Sequence, residues 1–306
     1  MKKISYPKPI FILAFDHRSS FLKNLLDVKE KQKITPAIKN QVADYKKIIY
    51  AGFKLAIKNG LPKKQAAILV DEEFGSEILK DAKKNNFNIC LPVEKSGEKI
   101  FDFAYGKNFS AHIKKYQPTT VKVLIRYNPD DPKKDKDKQI KNLKIISDWC
   151  QKNNYPFMIE ALIPATKQQL TIVKEDKKNY DQKLRPQLTR RMVAEIQAAH
   201  IEASLWKIEG FHNGQSYQKL IQQIKADGRS NVNAIILGRG EDKKGVEKWL
   251  AAGAKVKGII GFAIGRTIFW QPLNDLKNGL IDQNQASKQI GQNYLDFYKY
   301  FLSKQK

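Results

Sequence analysis

The chain has 306 residues, 42% of them hydrophobic and 28% charged, which excludes a disordered or fibrous polypeptide and leaves room for a sizeable core. Its net charge is +25, yet 48 of the 56 basic residues are lysine, spread along nearly every helix-like segment. A nucleic-acid site would cluster them with arginine and aromatics, so the expectation is a solvated, lysine-biased surface that attracts anionic substrates.

In chain order, short apolar runs alternate with longer amphipathic ones. The first predicted strand is Ile10–Phe15, ending in Asp16-His17-Arg18. Ile34, Ile38, Val42, Tyr45 and Ile49 recur at helical spacing and predict a helix over Gln32–Ala51. Strands follow at Ala66–Val70, before Asp71-Glu-Glu-Phe-Gly75, and at Asn88–Val93, before Glu94-Lys-Ser-Gly97. Thr120–Ile125 is the fourth strand and Arg126 follows it; Pro132–Lys138 reads as a solvated loop and Gln139–Asn153 as a helix. The fifth strand, Pro156–Leu162, contains Glu160. A long polar connection, Pro164–Arg185, leads to a helix opening at Pro186 and running to Ile201. The sixth strand lies in Ser204–Gly210 and carries Lys207. Asn233–Leu237 precedes Gly238-Arg-Gly-Glu-Asp242 and a helix over Lys244–Ala252, and Gly258–Ile264 precedes Gly265-Arg266. A last helix begins near Gln283.

Eight strands that are apolar on both faces, most followed by a helix, describe a buried parallel sheet. Functional-looking residues fall after strands rather than before them, which favours a single-domain (β/α)8 barrel, an α/β TIM barrel over residues 1–306, above an open doubly wound sheet. Cys90 and Cys150 have no motif spacing, and the run at Ile10–Phe15 is short for a signal segment. A cytoplasmic protein with no membrane partner is expected.

Lys207 is the residue around which the chemistry gathers. A cation buried in an apolar strand is costly; an amine held uncharged is a nucleophile that can form a Schiff base with a carbonyl. Lys122, Glu160 and Lys207 come from the fourth, fifth and sixth strands. Neighbouring lysines lower each other's pKa, a carboxylate can move protons, and Asp16 adds a second acid/base group. Half of the eight arginines, Arg18, Arg126, Arg239 and Arg266, follow strands and suit bidentate holding of phosphate or carboxylate. Gly265-Arg266 and Gly238-Arg239 lie where barrels bind phosphate. His17 and His212 could hydrogen-bond substrate, and the Asp71–Gly75 and Glu94–Gly97 runs could line the mouth. The alternative for each charged group is a structural ion pair. No His-x-His or His-Glu-x-x-His spacing occurs, so neither a metal nor another cofactor is expected.

Seven motifs together carry a resemblance: Leu13-Ala-Phe-Asp-His-Arg18, Leu69-Val-Asp-Glu-Glu-Phe-Gly75, Leu91-Pro-Val-Glu-Lys-Ser-Gly97, Val121-Lys-Val-Leu-Ile-Arg-Tyr-Asn-Pro-Asp130, Trp206-Lys-Ile-Glu-Gly210, Leu237-Gly-Arg-Gly-Glu-Asp242 and Gly261-Phe-Ala-Ile-Gly-Arg-Thr-Ile-Phe-Trp270. In these the chain resembles a family of class I aldolase-like barrels found alone or attached to bacterial 5-dehydro-2-deoxygluconokinase. That family is associated with the 5-dehydro-2-deoxyphosphogluconate aldolase step of inositol breakdown. More distantly the chain is similar to class I tagatose-1,6-bisphosphate aldolases. The resemblance implies Lys207 as the Schiff-base lysine, with Lys122, Glu160 and Asp16 in matching positions and Gly265-Arg266 holding phosphate. His17 stands where that second family often has glutamine, and Gly238-Arg-Gly240 replaces a serine-containing turn, which leaves sugar specificity open.

The activity so implied is metal-independent cleavage of a phosphorylated keto sugar acid, 5-dehydro-2-deoxygluconate 6-phosphate, to dihydroxyacetone phosphate and malonate semialdehyde. A ketose-bisphosphate aldolase and a non-catalytic polyanion-binding barrel are the rivals. The sequence leaves the oligomeric state open, a homo-oligomer included.

Overall fold

The computed structural model describes residues 6, 8–19, 21–29 and 34–305. Eight parallel strands close into a barrel in sequence order: β1 (Ile10–Ala14), β2 (Ala66–Leu69), β3 (Asn88–Pro92), β4 (Thr120–Arg126), β5 (Phe157–Leu162), β6 (Leu205–Glu209), β7 (Asn233–Leu237) and β8 (Ile259–Ile264). The α-helices are α1 (Pro36–Lys58), α2 (Glu72–Lys84), α3 (Phe109–Tyr116), α4 (Lys133–Lys152), α5 (Lys167–Ile172), α6 (Lys177–Asn179), α7 (Arg185–Ala198), α8 (Gly214–Ile224), α9 (Lys243–Ala254), α10 (Arg266–Lys277) and α11 (Gln283–Ser303). The expected TIM barrel is therefore the fold, and each predicted strand matches an observed one to within a residue or two.

Strand periodicity explains why the barrel holds charge inside. Side chains alternate between the lumen and the helix layer. Ile10, Ile12 and Ala14 of β1 pack inside the barrel with Met158, Leu205 and Ile235, whereas Phe11 and Leu13 join the outer core beneath the helices. By the same parity, Glu160 lies one inward position above Met158, and Lys207 one above Leu205. The register pairs Glu160 with Lys207 across β5 and β6, and Lys122 with Met158 across β4 and β5. An apolar plug thus fills the lower barrel, and polar groups begin one layer up, toward the C-terminal ends of the strands.

The helices differ from expectation in instructive places. Pro132–Lys138 is not a loop, because α4 starts at Lys133. Its lysines and aspartates form the solvent face of the first turns, with Lys133 bonded to Asp137 at 2.6 Å in an i,i+4 pair. The polar connection 164–185 contains α5, with a capping box between Thr166 and Gln169, and a π-helical turn at Tyr180–Leu184. Residues 32–33 of the predicted first helix lie outside the described residues.

Asp71-Glu-Glu-Phe-Gly75 does not line the mouth. Asp71 caps α2, accepting from Phe74 N at 3.0 Å, and forms a buried ion pair with Lys46 of α1. Glu72 turns instead to His112, Lys115 and Tyr116. α11 returns to the start of the chain, where the buried Tyr294 hydroxyl donates to Phe11 O at 2.6 Å. Among the described residues no helix is long and apolar enough to cross a membrane.

Candidate active site

The C-terminal mouth gathers three carboxylates around one ammonium. Lys122 Nζ lies 2.8 Å from Asp16 Oδ2, 2.7 Å from Glu94 Oε1 and 2.8 Å from Glu160 Oε2. Glu160 turns its other oxygen to Lys207, Oε1 to Nζ at 2.8 Å. The result is a continuous chain from β3 to β6: Glu94, Lys122, Glu160, Lys207. Lys122 is 1% exposed and Lys207 4%, so these contacts operate largely away from solvent, where they are strong.

This geometry changes two expectations. Lys122 is not a lysine with a lowered pKa. Burial pulls it down, but Asp16, Glu160 and Glu94 outweigh burial and raise it well above the ordinary value. Lys207 is not a lone amine in an apolar strand, because Glu160 faces it within hydrogen-bond distance. Burial pushes the Glu160 carboxyl up, yet Lys122 and Lys207 together hold it below the usual range. Asp16 is lowered in the same way, against burial, chiefly by Lys122 and then Lys207. An ionised Glu160 touching both amines can pass a proton to or from Lys207, while Lys122 stays a fixed positive charge.

Two adjoining cavities, of about 260 and 190 Å³, open onto this cluster and share His17, Leu124, Arg126, Glu160, Lys207 and Arg266. The larger extends under Arg18 and the Glu94–Gly97 turn, and the smaller under Gly238–Gly240 and Gly265. Arg126, Arg266 and Lys207 line both, with Arg18 and Lys122 in the larger and Arg239 in the smaller. Arg18 donates to Glu94 O at 2.7 Å and Arg126 to Glu98 O at 2.8 Å, each through one terminal nitrogen. Arg266 donates to Arg239 O at 3.0 Å. Arg239 is committed elsewhere: it grips Asp181 with both terminal nitrogens and Glu209 at 3.1 Å.

Several residues that line these cavities carry a buried polar atom with no partner among the described residues: His17 Nδ1, Arg18 Nε, Glu94 Oε2 and Arg266 Nε. Buried polar atoms are nearly always paired, so this concentration at one mouth fits a ligand site better than a finished core. Among the described residues no group of three or more His, Cys, Asp or Glu side chains is placed to hold a metal ion. The carboxylates are gathered on an ammonium instead.

The glycines are required by close approach. A Cβ on Gly265, which precedes α10, would strike the Ala14 carbonyl oxygen and crowd His17 Cε1 at 3.1 Å. One on Gly240 would strike the Arg266 guanidinium, and Gly240 also has φ +76°. Gly265→Ala is expected to lower the stability by about 1–3 kcal/mol, the usual cost of overpacking. The shift in urea midpoint checks it.

His17 supplies a pH signature. Burial and the nearby Arg266 pull its pKa to about 4, against the pull of Asp16. The folded protein then binds fewer protons than the unfolded chain between about pH 6.5 and 4. Stability is present above that window and is lost as pH falls through it, with a slope up to about 1.4 kcal/mol per pH unit. Urea melts in this window should show a flatter slope for His17→Gln than for the wild type.

Of the residues singled out in the sequence, Asp16, His17, Arg18, Lys122, Arg126, Glu160, Lys207, Gly238, Arg239, Gly265 and Arg266 all line these two cavities. His212 does not; it accepts from Trp249 Nε1 at 3.4 Å. Glu94-Lys-Ser-Gly97, the run expected at the mouth, does line the larger cavity, and Glu94 is the third carboxylate on Lys122. Asp181 carried no local signal at all.

The model of a family described as "uncharacterized protein conserved in bacteria (DUF2090)" matches residues 2–305. The chain belongs to the DUF2090 family. No curated protein matches it in sequence. Among solved structures, the DUF2090 barrel is similar to a Schiff-base-forming fructose-1,6-bisphosphate aldolase, with TM-score 0.54, 15% identity and 93% of each chain covered. An archaeal fructose-1,6-bisphosphate aldolase gives TM-score 0.53, 14% identity and 96% coverage of each chain. A Corynebacterium glutamicum protein gives TM-score 0.58 and 13% identity, over 95% of this chain and 88% of its own. At these identities the DUF2090 chain shares a fold with them.

Proposed function

We propose that this DUF2090 protein is a class I aldolase that cleaves a phosphorylated keto sugar acid through a Schiff base on Lys207. The observation that carries the reading is the Glu160 carboxylate set between two buried amines, 2.8 Å from each, in a cavity that Gly265 and Arg266 also line. Structural neighbours that are Schiff-base aldolases support it.

In this mechanism Lys207 Nζ adds to the substrate ketone. Glu160 takes the ammonium proton and returns it to the carbinolamine hydroxyl, which leaves as water. The iminium then receives the electron pair of the neighbouring C–C bond as it breaks. The hydroxyl on the departing carbon gives up its proton and becomes an aldehyde, and Asp16 is the base on the β1 side. The enamine left on Lys207 is protonated at carbon and hydrolysed. Lys122 holds Asp16, Glu94 and Glu160 in place by ion pairs and favours the ionised form of Asp16 and Glu160 between proton transfers. Arg266 and the N-terminal amides of α10 hold the phosphate, since a helix start favours an anion.

The resemblance to barrels attached to 5-dehydro-2-deoxygluconokinase points to 5-dehydro-2-deoxygluconate 6-phosphate. Its products are dihydroxyacetone phosphate and malonate semialdehyde. Arg18 and Arg126, in the larger cavity, suit the carboxylate end. A ketose bisphosphate is the second reading, favoured by the fructose-1,6-bisphosphate aldolases among the neighbours; the same arginines would then meet a second phosphate.

Borohydride reduction in the presence of dihydroxyacetone phosphate tests the chemistry. Peptide mapping should place one reduced adduct on Lys207. No adduct, or labels scattered over surface lysines, rejects the mechanism, and turnover of the two substrates decides between them.

A further inference from the structure

Arg239 follows β7 and faces the mouth, which invites the reading that it binds the substrate's second anion. Its surroundings argue otherwise. Asp181, from the connection between β5 and α7, holds the guanidinium through both oxygens, Oδ1 to Nη1 at 2.9 Å and Oδ2 to Nη2. Glu209, the last residue of β6, adds Oε1 to Nη1 at 3.1 Å. Asp181 is fixed in turn by Arg185 Nε at 2.8 Å, and Arg185 donates to Gly210 O at 2.9 Å. Glu209 Oε2 accepts from Ile163 N at 2.9 Å. Two carboxylates thus balance two guanidiniums, and little charge remains for an incoming anion.

What Arg239 offers the mouth is its backbone. Its carbonyl accepts from Arg266 Nη2 at 3.0 Å, and the next residue, Gly240, lies directly against the Arg266 guanidinium. Arg239 has φ +49° and Gly240 φ +76°. Two successive left-handed residues, the first of them not glycine, are a conformation that surrounding contacts must maintain. The side-chain clamp on Arg239 helps maintain it, beside the bond from Glu241 N to Gly238 O at 2.9 Å and that from the Thr267 hydroxyl to Glu241 O at 2.8 Å.

We infer that Asp181 is a positioning residue: by clamping Arg239 it fixes the turn after β7, and that turn's carbonyl aims Arg266 at the substrate phosphate. This rests on the aldolase reading for Lys207 and Arg266 and deepens it. Arg239 then serves phosphate recognition through its main chain, and the second anion falls to Arg18 and Arg126.

The test compares Asp181→Asn with wild type on two ketones, dihydroxyacetone phosphate and unphosphorylated dihydroxyacetone, by borohydride trapping at Lys207 over a range of ketone concentrations. The expected result is a half-saturation concentration raised about tenfold or more for the phosphorylated ketone, with the maximal trapping rate and the response to dihydroxyacetone unchanged. Inorganic phosphate should also protect the variant less well than the wild type. A general structural lesion would lower trapping with both ketones. Asp181→Glu, which keeps the charge, should recover part of the lost affinity.

The opposite role for Arg239 predicts the opposite sign, because freeing a substrate-binding arginine from its carboxylate would tighten binding of the phosphorylated ketone. Tighter or unchanged binding in Asp181→Asn, or equal losses with both ketones, overturns the inference. Failure of the aldolase reading is separately visible, since the wild type itself would then trap neither ketone at Lys207.

Discussion

Lys207→Ala should abolish borohydride-dependent labelling by dihydroxyacetone phosphate and lower turnover by about four orders of magnitude or more, as loss of a nucleophile does. The reason is covalent: alanine cannot form the iminium that draws electrons from the breaking bond. The variant also leaves Glu160 with Lys122 alone, so folding must be checked by circular dichroism and urea melts. Lys207→Arg supplies a second control, since it keeps a cation beside Glu160 but offers no amine that forms an imine. Both variants should be inactive and folded. Wild-type turnover in either one would remove the Schiff base from the mechanism.

Glu160→Gln should leave the nucleophile in place but slow the proton transfers around it by about 10²–10⁴-fold. Single-turnover trapping should show Schiff-base formation itself becoming slow. A variant that traps at the wild-type rate yet fails in cleavage would move Glu160 to a later step. The pH dependence has a defined sign. Because Lys122 and Lys207 outweigh burial and hold Glu160 below the ordinary glutamate range, it stays ionised as pH falls through that range. The acid limb of the wild-type rate should therefore lie below the usual carboxylate pKa. The stability that this carboxylate contributes is present above its unfolded value and is lost as pH falls through the lower native one.

The barrel was legible because its strands are written as bounded apolar runs such as Ile10–Phe15 and Asn233–Leu237, and because lumen-facing charge interrupts them at Lys122, Glu160 and Lys207. Helices were less legible where their apolar stripe is narrow. α4 begins in a lysine–aspartate run that looks like a loop because its first two turns point mostly outward. α2 was hidden by a motif, Asp71-Glu-Glu-Phe-Gly75, whose acids cap the helix and pair with Lys46 and α3. The positions lining the site could be read from their place within or just after strands. Their pairings could not. That Lys122 collects Glu94, or that Arg239 is met by Asp181 from 58 residues away, depends on which strand ends become neighbours once the barrel closes. No local pattern encodes such a meeting.

The closure itself has a cost during synthesis. β1 hydrogen-bonds to β2 on one side and to β8 on the other, and Tyr294 secures it only from α11. A ribosome adds about 5–20 residues per second, so roughly 10–50 s separate emergence of the first strand from that of its second neighbour. Throughout that interval Ile-Phe-Ile-Leu-Ala presents one bare, wholly apolar edge, the kind of strand that recruits other chains. The lysine-rich exterior offsets this hazard by keeping half-made barrels mutually repulsive, and yield on overexpression should accordingly fall when salt screens that repulsion.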